Sequence, residues 1–122
     1  VGLGHAAELR GDLERSVDLH RRALSVALRL EAPRDMAFSL EGLASALSIA
    51  GHPECSARFL GAAMAVRRTS GLTPGPAERS DIARTESRLR EAMAAAAMET
   101  TLNAGATLTP ETCLNEAGTI AL

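Results

Sequence analysis

The sequence predicts an all-α protein, and three observations support that class. The 122 residues are 46% hydrophobic yet include only two Phe and no Tyr or Trp, so the core must be built from small and aliphatic side chains. Ala, Leu, Arg, Glu and Met, which dominate the chain, are strong helix formers, whereas the β-branched and aromatic residues that favour strands are scarce. An internal repeat, punctuated by glycine and proline, is typical of stacked helical hairpins.

The repeat appears when LGHAAELRGDLERSVDLHRRALSV is laid over LASALSIAGHPECSARFLGAAMAV at an offset of 40 residues. The matched pairs are Leu3 and Leu43, Ala6 and Ala46, Gly11 and Gly51, Glu14 and Glu54, Ser16 and Ser56, Ala23 and Ala63, Val26 and Val66. In each unit we predict a short helix that ends at the glycine and a longer helix directly after it, because glycine adopts positive φ at little cost.

In the first unit Asp12 is the predicted N-cap of the longer helix. Its apolar stripe comprises Leu13, Val17, His20, Leu24, Ala27 and Leu28, widened by Ser16, Leu19, Ala23, Val26 and Leu30. Such a broad apolar face predicts a helix clasped by neighbours on two sides. Pro33 prevents this helix from continuing into the next unit.

The second unit should contain one helix from about Arg34 to Ala50, with Leu40, Leu43, Ala44 and Leu47 facing inward, and a partner helix after Pro53. Residues 72–76 form the predicted linker, so the hairpins occupy 1–71 and a C-terminal helical cap occupies 77–122. Within the cap, Pro76 opens one long helix or two joined near Met93, and Gly105 stops it. Thr109 and Pro110 begin a last short helix, which gives six or seven helices and no strand.

The units resemble the tetratricopeptide repeat, which sets a Leu-Gly pair, a turn glycine and small residues where two helices cross. Leu3-Gly4 and Leu43-Ala44 stand at the pair, Gly11 and Gly51 at the turn, and Ser16, Ala23, Ser56 and Ala63 at the crossing. The departures are the longer period, the absence of aromatic partners, and His20 in a slot that Leu60 fills in the second unit. The resemblance implies antiparallel helical hairpins in a right-handed α-α superhelix.

The order of segments over the whole chain resembles the C-terminal helical-repeat region of bacterial transcriptional regulators, the signal-transducing NTPase proteins of the SARP/AfsR-like and LuxR-like groups. The segments are GDLERSVDLHRRAL, AFSLEGLASALSIAG, RFLGAAMAVRRTSGLTPGPAERSDIAR, LREAM and NAGATLTPETCLNEA. The chain keeps the family's Gly105, Leu108, Glu111 and Ala117, but has Met98 and Leu102 where the family sets aromatics.

The first residues fall inside the first helix of a repeat, and Val1 is not a Met. We therefore expect the natural chain to extend upstream. The resemblance implies that the additional part would hold a nucleotide-binding module and a DNA-binding module, neither of which occurs in these residues.

Charge and motifs argue against several classes of function. The net charge is -2 and there is no Lys, so neither a cationic nucleic-acid face nor a GxxxxGK[ST] phosphate loop is expected. VGLGHA lacks the third glycine of a dinucleotide loop. Cys55 and Cys113 have no CxxC spacing and indicate reduced thiols in a cytoplasmic protein. No apolar run is long enough to span a membrane, and no secretory signal is present.

The histidines also lack metal-ligand spacing, and His20 is interpreted as a hydrogen-bonded core or groove residue. In GHPEC the repeat places His52 at an N-cap, Glu54 in the first helical turn and Cys55 in a slot that holds Arg15 in the first unit. A turn between two helices explains this cluster without catalysis, although a thiol in a first helical turn can be reactive.

We therefore expect no catalytic residue, metal or cofactor. If the chain binds a protein partner, the groove formed by the first helix of each unit would present His5, Glu8, Glu41, Ser45 and Ser48, which could equally be ordinary exposed residues. The predicted function is a non-catalytic regulatory or protein-interaction segment of a larger regulator. The alternative is a free-standing scaffold that assembles proteins or forms a homodimer.

Overall fold

The computed structural model describes residues 2–122, with side chains described from residue 10 onward. Over these residues the chain forms six α-helices and no strand. They are α1 (Gly2–Arg29), α2 (Pro33–Ile49), α3 (Pro53–Ser70), α4 (Pro76–Ala92), α5 (Ala95–Gly105) and α6 (Pro110–Ala117). The predicted all-α class is confirmed.

Four of these helices begin at a proline. The proline ring holds φ near its helical value, and the missing N–H is one that the first turn would not use. The predicted starts at Pro76 and Pro110 are therefore confirmed, and the hydroxyl of Thr109 caps α6 by accepting a hydrogen bond from the Thr112 amide at 3.2 Å. Residues 93–94 separate α4 from α5, so the predicted cap helix is two helices, and the second ends at Gly105 as expected.

Helices α2 and α3 lie where the second hairpin is predicted, and they pack against each other. Gly51 turns the chain with a φ of +87°, which glycine adopts without a Cβ penalty. The hydroxyl of Ser56 donates to the Ala44 carbonyl at 2.6 Å, and both residues are fully buried. Because Arg67 further along α3 reaches back to Glu41, the two helices run antiparallel. Ser56 and Ala63, two of the small residues noted in the repeat, are both buried in α3.

The first predicted hairpin is not formed in the described residues. Gly11 lies inside α1, which continues through it, and Asp12 pairs with Arg15 within the helix instead of capping it. A glycine inside a helix costs about 1 kcal/mol, whereas a turn there would leave the terminal N–H and C=O groups without helical partners. The predicted turn and N-cap are therefore wrong, and Ser16 and Ala23 do not mark a crossing within this unit.

The core contains only part of the predicted α1 stripe. Val17, Leu24 and Ala27 are buried against α2 and α6, with Leu13 and Leu28 packed at the edge. Four of the five residues expected to widen the stripe are exposed, with Leu19 at 64% and Leu30 at 71%, whereas Ser16 is half-buried. One side of α1 is thus covered and its other apolar side is not.

The helices after the linker cover the hairpin. Arg88 of α4 reaches Ser45 and Ser48, so α4 runs parallel to α2 with its start near the Glu41 end. Gly61 and Gly105 let the backbones of α3 and α5 touch, with α5 antiparallel to α3, while α6 packs mainly on α1.

The connection between α3 and α4 spans 71–75, one residue earlier than the predicted linker. The part of the chain described includes no helix with the length and apolarity needed to cross a bilayer.

Candidate functional site

A cleft of about 290 Å³ opens between α1, α2 and α4, and we call it the three-helix cleft. Ser16 and His20 line it from α1, Phe38 and Ile49 from α2, and Asp81 and Ile82 from α4. Phe38 and Ile49 are about half exposed, so they place apolar surface at the cleft.

The structure brings two of the predicted groove residues to this cleft. Glu41 and Ser45 line it, and Ser48 lies one turn further along α2. The side chains of His5 and Glu8 lie outside the described residues, so the predicted groove is traced only through α2. Sequence spacing thus placed three polar side chains on one side of α2.

These α2 groups already have partners in the chain. Arg88 of α4 donates to the Ser48 hydroxyl at 2.7 Å and to the Ser45 hydroxyl at 3.0 Å. It also donates to Thr85, and Ser48 donates to the Ser45 carbonyl. These contacts place Arg88 of α4 over the part of the groove near Ser45 and Ser48.

An ion-pair triad of Arg67, Glu41 and Glu78 borders the cleft, and its two carboxylates line it. Arg67, which is only 5% exposed, donates to Glu41 through Nε at 2.6 Å and through Nη2 at 2.9 Å, and to Glu78 at 3.0 Å. The hydrogen bond from Arg67 to Glu41 raises the pKa of the Arg67 guanidinium. The triad ties α2, α3 and the start of α4 together.

Glu78 has a second function at the start of α4. It accepts a hydrogen bond from the Gly75 amide at 3.2 Å, which lowers the pKa of its carboxyl, and the positive charges of Arg67 and Arg34 add smaller effects in the same direction. Sequence reasoning missed this triad because its members are far apart in the chain. The reach from Glu78 back to Gly75, three residues earlier, is the part that a capping pattern could have signalled.

His20 lines the cleft, and glycine at position 42 makes room for its ring. A Cβ atom on Gly42 would overlap the imidazole, while the ring meets Phe38 edge-to-face with centroids 6.3 Å apart. Burial lowers the pKa of His20. His20 is half-buried, and no hydrogen bond joins its ring to any residue with a described side chain, so the expected hydrogen bond is not found.

A separate apolar surface lies on the uncovered side of α1. Leu19, Ala23, Val26 and Leu30 are all exposed and form the outer α1 stripe. Their alternating spacing of four and three residues places them on one helix face. Arg15, Arg22 and Arg29, which are also exposed, follow one edge of the stripe.

The GHPEC turn contains no assembled chemical site. His52 is at the N-cap of α3 but makes no side-chain capping bond. Cys55 accepts a hydrogen bond from Arg58 at 3.3 Å and lies 3.8 Å from a Glu116 oxygen, and Arg58 and Glu116 form an ion pair. Among the residues searched, no three His, Cys, Asp or Glu side chains converge as metal ligands would. The cluster joins α3 to α6.

Comparison with known proteins yields no match to a family model, a curated protein or a solved structure. The resemblance to the regulator family therefore stays a prediction that depends on the order and spacing of segments.

Proposed function

We propose that the chain is a non-catalytic, protein-interacting helical-repeat segment of a larger bacterial transcriptional regulator of the signal-transducing NTPase type. The regulator assignment depends on the segment order given above. The interaction function depends on one structural observation, the outer α1 stripe, because large apolar side chains aligned on one exposed helix face are typical of a contact surface.

The arrangement of α2, α3 and α4 supports the tetratricopeptide-like part of this proposal. In a repeat array the two helices of a unit are antiparallel. The first helix of each unit lies beside, and parallel to, the first helix of the preceding unit. The antiparallel α2 and α3 and the parallel α2 and α4 have those directions. The antiparallel contact of α5 with α3 departs from a repeat array, so within the predicted cap of 77–122 only α4 has the direction of a repeat helix.

The outer α1 stripe is where such an array would receive its preceding helix. In the regulator that helix would belong to another part of the parent chain, which would cover Leu19, Val26 and Leu30. The stripe would then transmit a change in the position of that neighbouring helix to α1 and α2.

The alternative is a free-standing scaffold that uses the same stripe to form a homodimer. Arg15, Arg22 and Arg29 weigh against a symmetric antiparallel pairing, since like edges of the two stripes would then meet and set arginines against arginines. A scaffold that binds a different protein has no such penalty.

Light scattering of this chain beside a longer version of its natural parent tests the proposal. We expect the 122-residue chain to self-associate at high concentration and a Leu19→Glu/Val26→Glu variant to do so less, while the longer chain stays monomeric. Equal association of both lengths would favour the scaffold. ATP hydrolysis or operator binding by the 122-residue chain alone would contradict the proposal.

A further inference from the structure

The outer α1 stripe carries charges that select the kind of helix able to cover it. We propose that its partner is an amphipathic helix with a seven-residue apolar repeat and acidic side chains along the edge that faces Arg22 and Arg29. This inference rests on the proposed interaction function and specifies the chemistry of the partner.

The outer α1 stripe has the spacing of a coiled-coil seam. Leu19 and Val26 fall at one seam position of a seven-residue repeat, and Ala23 and Leu30 fall at the other. All four side chains are exposed, and they extend along α1 for about 17 Å, or three turns. Because Ala23 is small, the partner can place a large apolar side chain opposite it.

Arg22 and Arg29 lie one repeat apart, directly before Ala23 and Leu30. In a coiled coil this flanking position forms ion pairs between the helices and sets the choice of partner. Both arginines are exposed, and Arg29 makes no ion pair with any side chain that the structure describes. The edge of the stripe therefore offers guanidinium groups to carboxylates on a partner helix.

The partner that Arg22 already has does not occupy this edge. Nη2 of Arg22 lies 3.0 Å from an Asp18 oxygen, in an exposed pair of the kind that contributes little to stability. By helical geometry Asp18 lies on the side of Arg22 away from the stripe. A guanidinium has five N–H donors and can bind a second carboxylate, as Arg67 does in the triad. Arg15 adds no net charge, because it pairs with Asp12.

A second copy of the chain is a poorer match than an acidic helix. An antiparallel copy would place its own Arg22 and Arg29 against these arginines, which is unfavourable. A parallel copy would need the opposite edge of the stripe, where Ala27 is buried and the His20 ring lies against Gly42 of α2. The arginine edge is thus the one that a partner can reach, and it favours acids.

Fluorescence anisotropy with two labelled synthetic peptides of about three heptads tests the partner. Both peptides have Leu at the two seam positions. One has glutamates at the flanking positions and lysines on the outer face, and the other exchanges the glutamates and lysines. Composition and net charge are then equal, so the peptides differ in the sign of the edge. At low salt we expect the glutamate-edged peptide to bind the chain saturably and at least about fivefold more tightly.

Arg22→Glu/Arg29→Glu should reverse that preference. The matched control is Arg79→Glu/Arg90→Glu on α4, which should keep it. Arg90, like Arg22, is exposed and pairs with a carboxylate four residues earlier, and Arg79, like Arg29, is exposed and has no ion pair with a described side chain. If the α1 glutamate variant does not fold, Arg22→Gln/Arg29→Gln should bring the two affinities together.

Leu19→Glu/Val26→Glu should abolish binding of the glutamate-edged peptide, which locates it on the stripe. Equal binding of both peptides, lost in this variant, would overturn the acidic partner but leave the stripe as a contact surface. An unchanged preference in Arg22→Glu/Arg29→Glu, or tighter binding of the lysine-edged peptide by the wild type, would also overturn the inference. So would a lack of binding by either peptide, and the light-scattering comparison would then decide separately whether the interaction function holds.

Discussion

Gly61 of α3 lies so close to Leu102 of α5 that a Cβ atom at position 61 would overlap the Leu102 carbonyl oxygen. The neighbouring Gly105 meets the backbone of Arg58 in the same way, so the two helices touch through main-chain atoms. This contact explains how a chain with few bulky side chains packs: glycine and alanine bring backbones together where aromatic residues would otherwise fill space.

Gly61→Ala should therefore lower the free energy of unfolding by about 2 kcal/mol or more, because backbone cannot move aside as a flexible side chain can. Gly11→Ala is the matched control. Within α1 a Cβ on Gly11 would meet only the end of Arg15, at 3.7 Å, so alanine should stabilise the protein by about 0.5–1 kcal/mol. Urea denaturation measures the free energy of unfolding of both variants. A loss of stability in Gly11→Ala would favour the turn at Gly11 that the repeat predicts.

The neutral His20 should make stability depend on pH. Its pKa is lowered in the folded state, so as pH falls the unfolded chain takes up a proton first, near the ordinary value of 6.5. Stability is unaffected well above that value and decreases below it. We expect the melting temperature to fall between about pH 7.5 and pH 5, and His20→Leu to flatten that fall.

Glu78→Gln provides the comparison for His20. The pKa of Glu78 is lowered from 4.5, so its contribution is present above that value and lost only at lower pH. The variant should keep the decrease between about pH 7.5 and pH 5 that His20 causes. If His20→Leu leaves the profile unchanged, another group is responsible.

The Arg67 triad predicts an asymmetric response to mutation. Arg67→Met leaves the Glu41 carboxylate, whose side chain is 9% exposed, without its partner, and should cost about 3 kcal/mol. The double variant Arg67→Met/Glu41→Met removes both buried charges and should recover much of that loss. Arg22→Met, in an exposed pair with Asp18, should change stability by less than about 0.5 kcal/mol. Chemical denaturation at neutral pH compares the three.

The two cysteines should differ in reactivity toward a thiol reagent. Burial raises the pKa of Cys113 to about 11 and removes its thiol from solvent, whereas Cys55 is partly exposed. At neutral pH we expect one thiol to react in the native protein and both in urea. Cys55→Ser should abolish the native reaction, and Cys113→Ser should leave it intact. Equal labelling of both thiols would mean that α6 opens readily.

Local patterns in the sequence predicted most of the helices and their ends. Prolines at positions 53, 76 and 110 and the turn at Gly51 marked where helices begin and the chain reverses, and the helix predicted from about Arg34 begins one residue earlier, at Pro33. These signals are reliable because they act through the residue's own backbone: a fixed φ, a missing N–H or a missing Cβ. The buried faces of α2 followed from helical spacing for the same local reason.

The wrong predictions arose where one sequence pattern is compatible with two different structures. Gly11 matches Gly51 in the repeat, but a glycine inside a helix costs little when the helix continues on both sides. Leu19 and Leu30 look like core residues by spacing, yet burial needs a partner helix on that side, and spacing on one helix cannot reveal whether it is present.

The sequence by itself determined an all-α chain, the helix starts at its prolines and the antiparallel turn at Gly51. Only the tertiary structure decided that Arg67 joins Glu41 to Glu78, that Gly42 makes room for His20, and that α3 touches α5 at Gly61. The physical reason is distance along the chain: helix propensity and turns depend on neighbouring residues, whereas ion pairs and backbone contacts between helices depend on how remote segments are placed by packing.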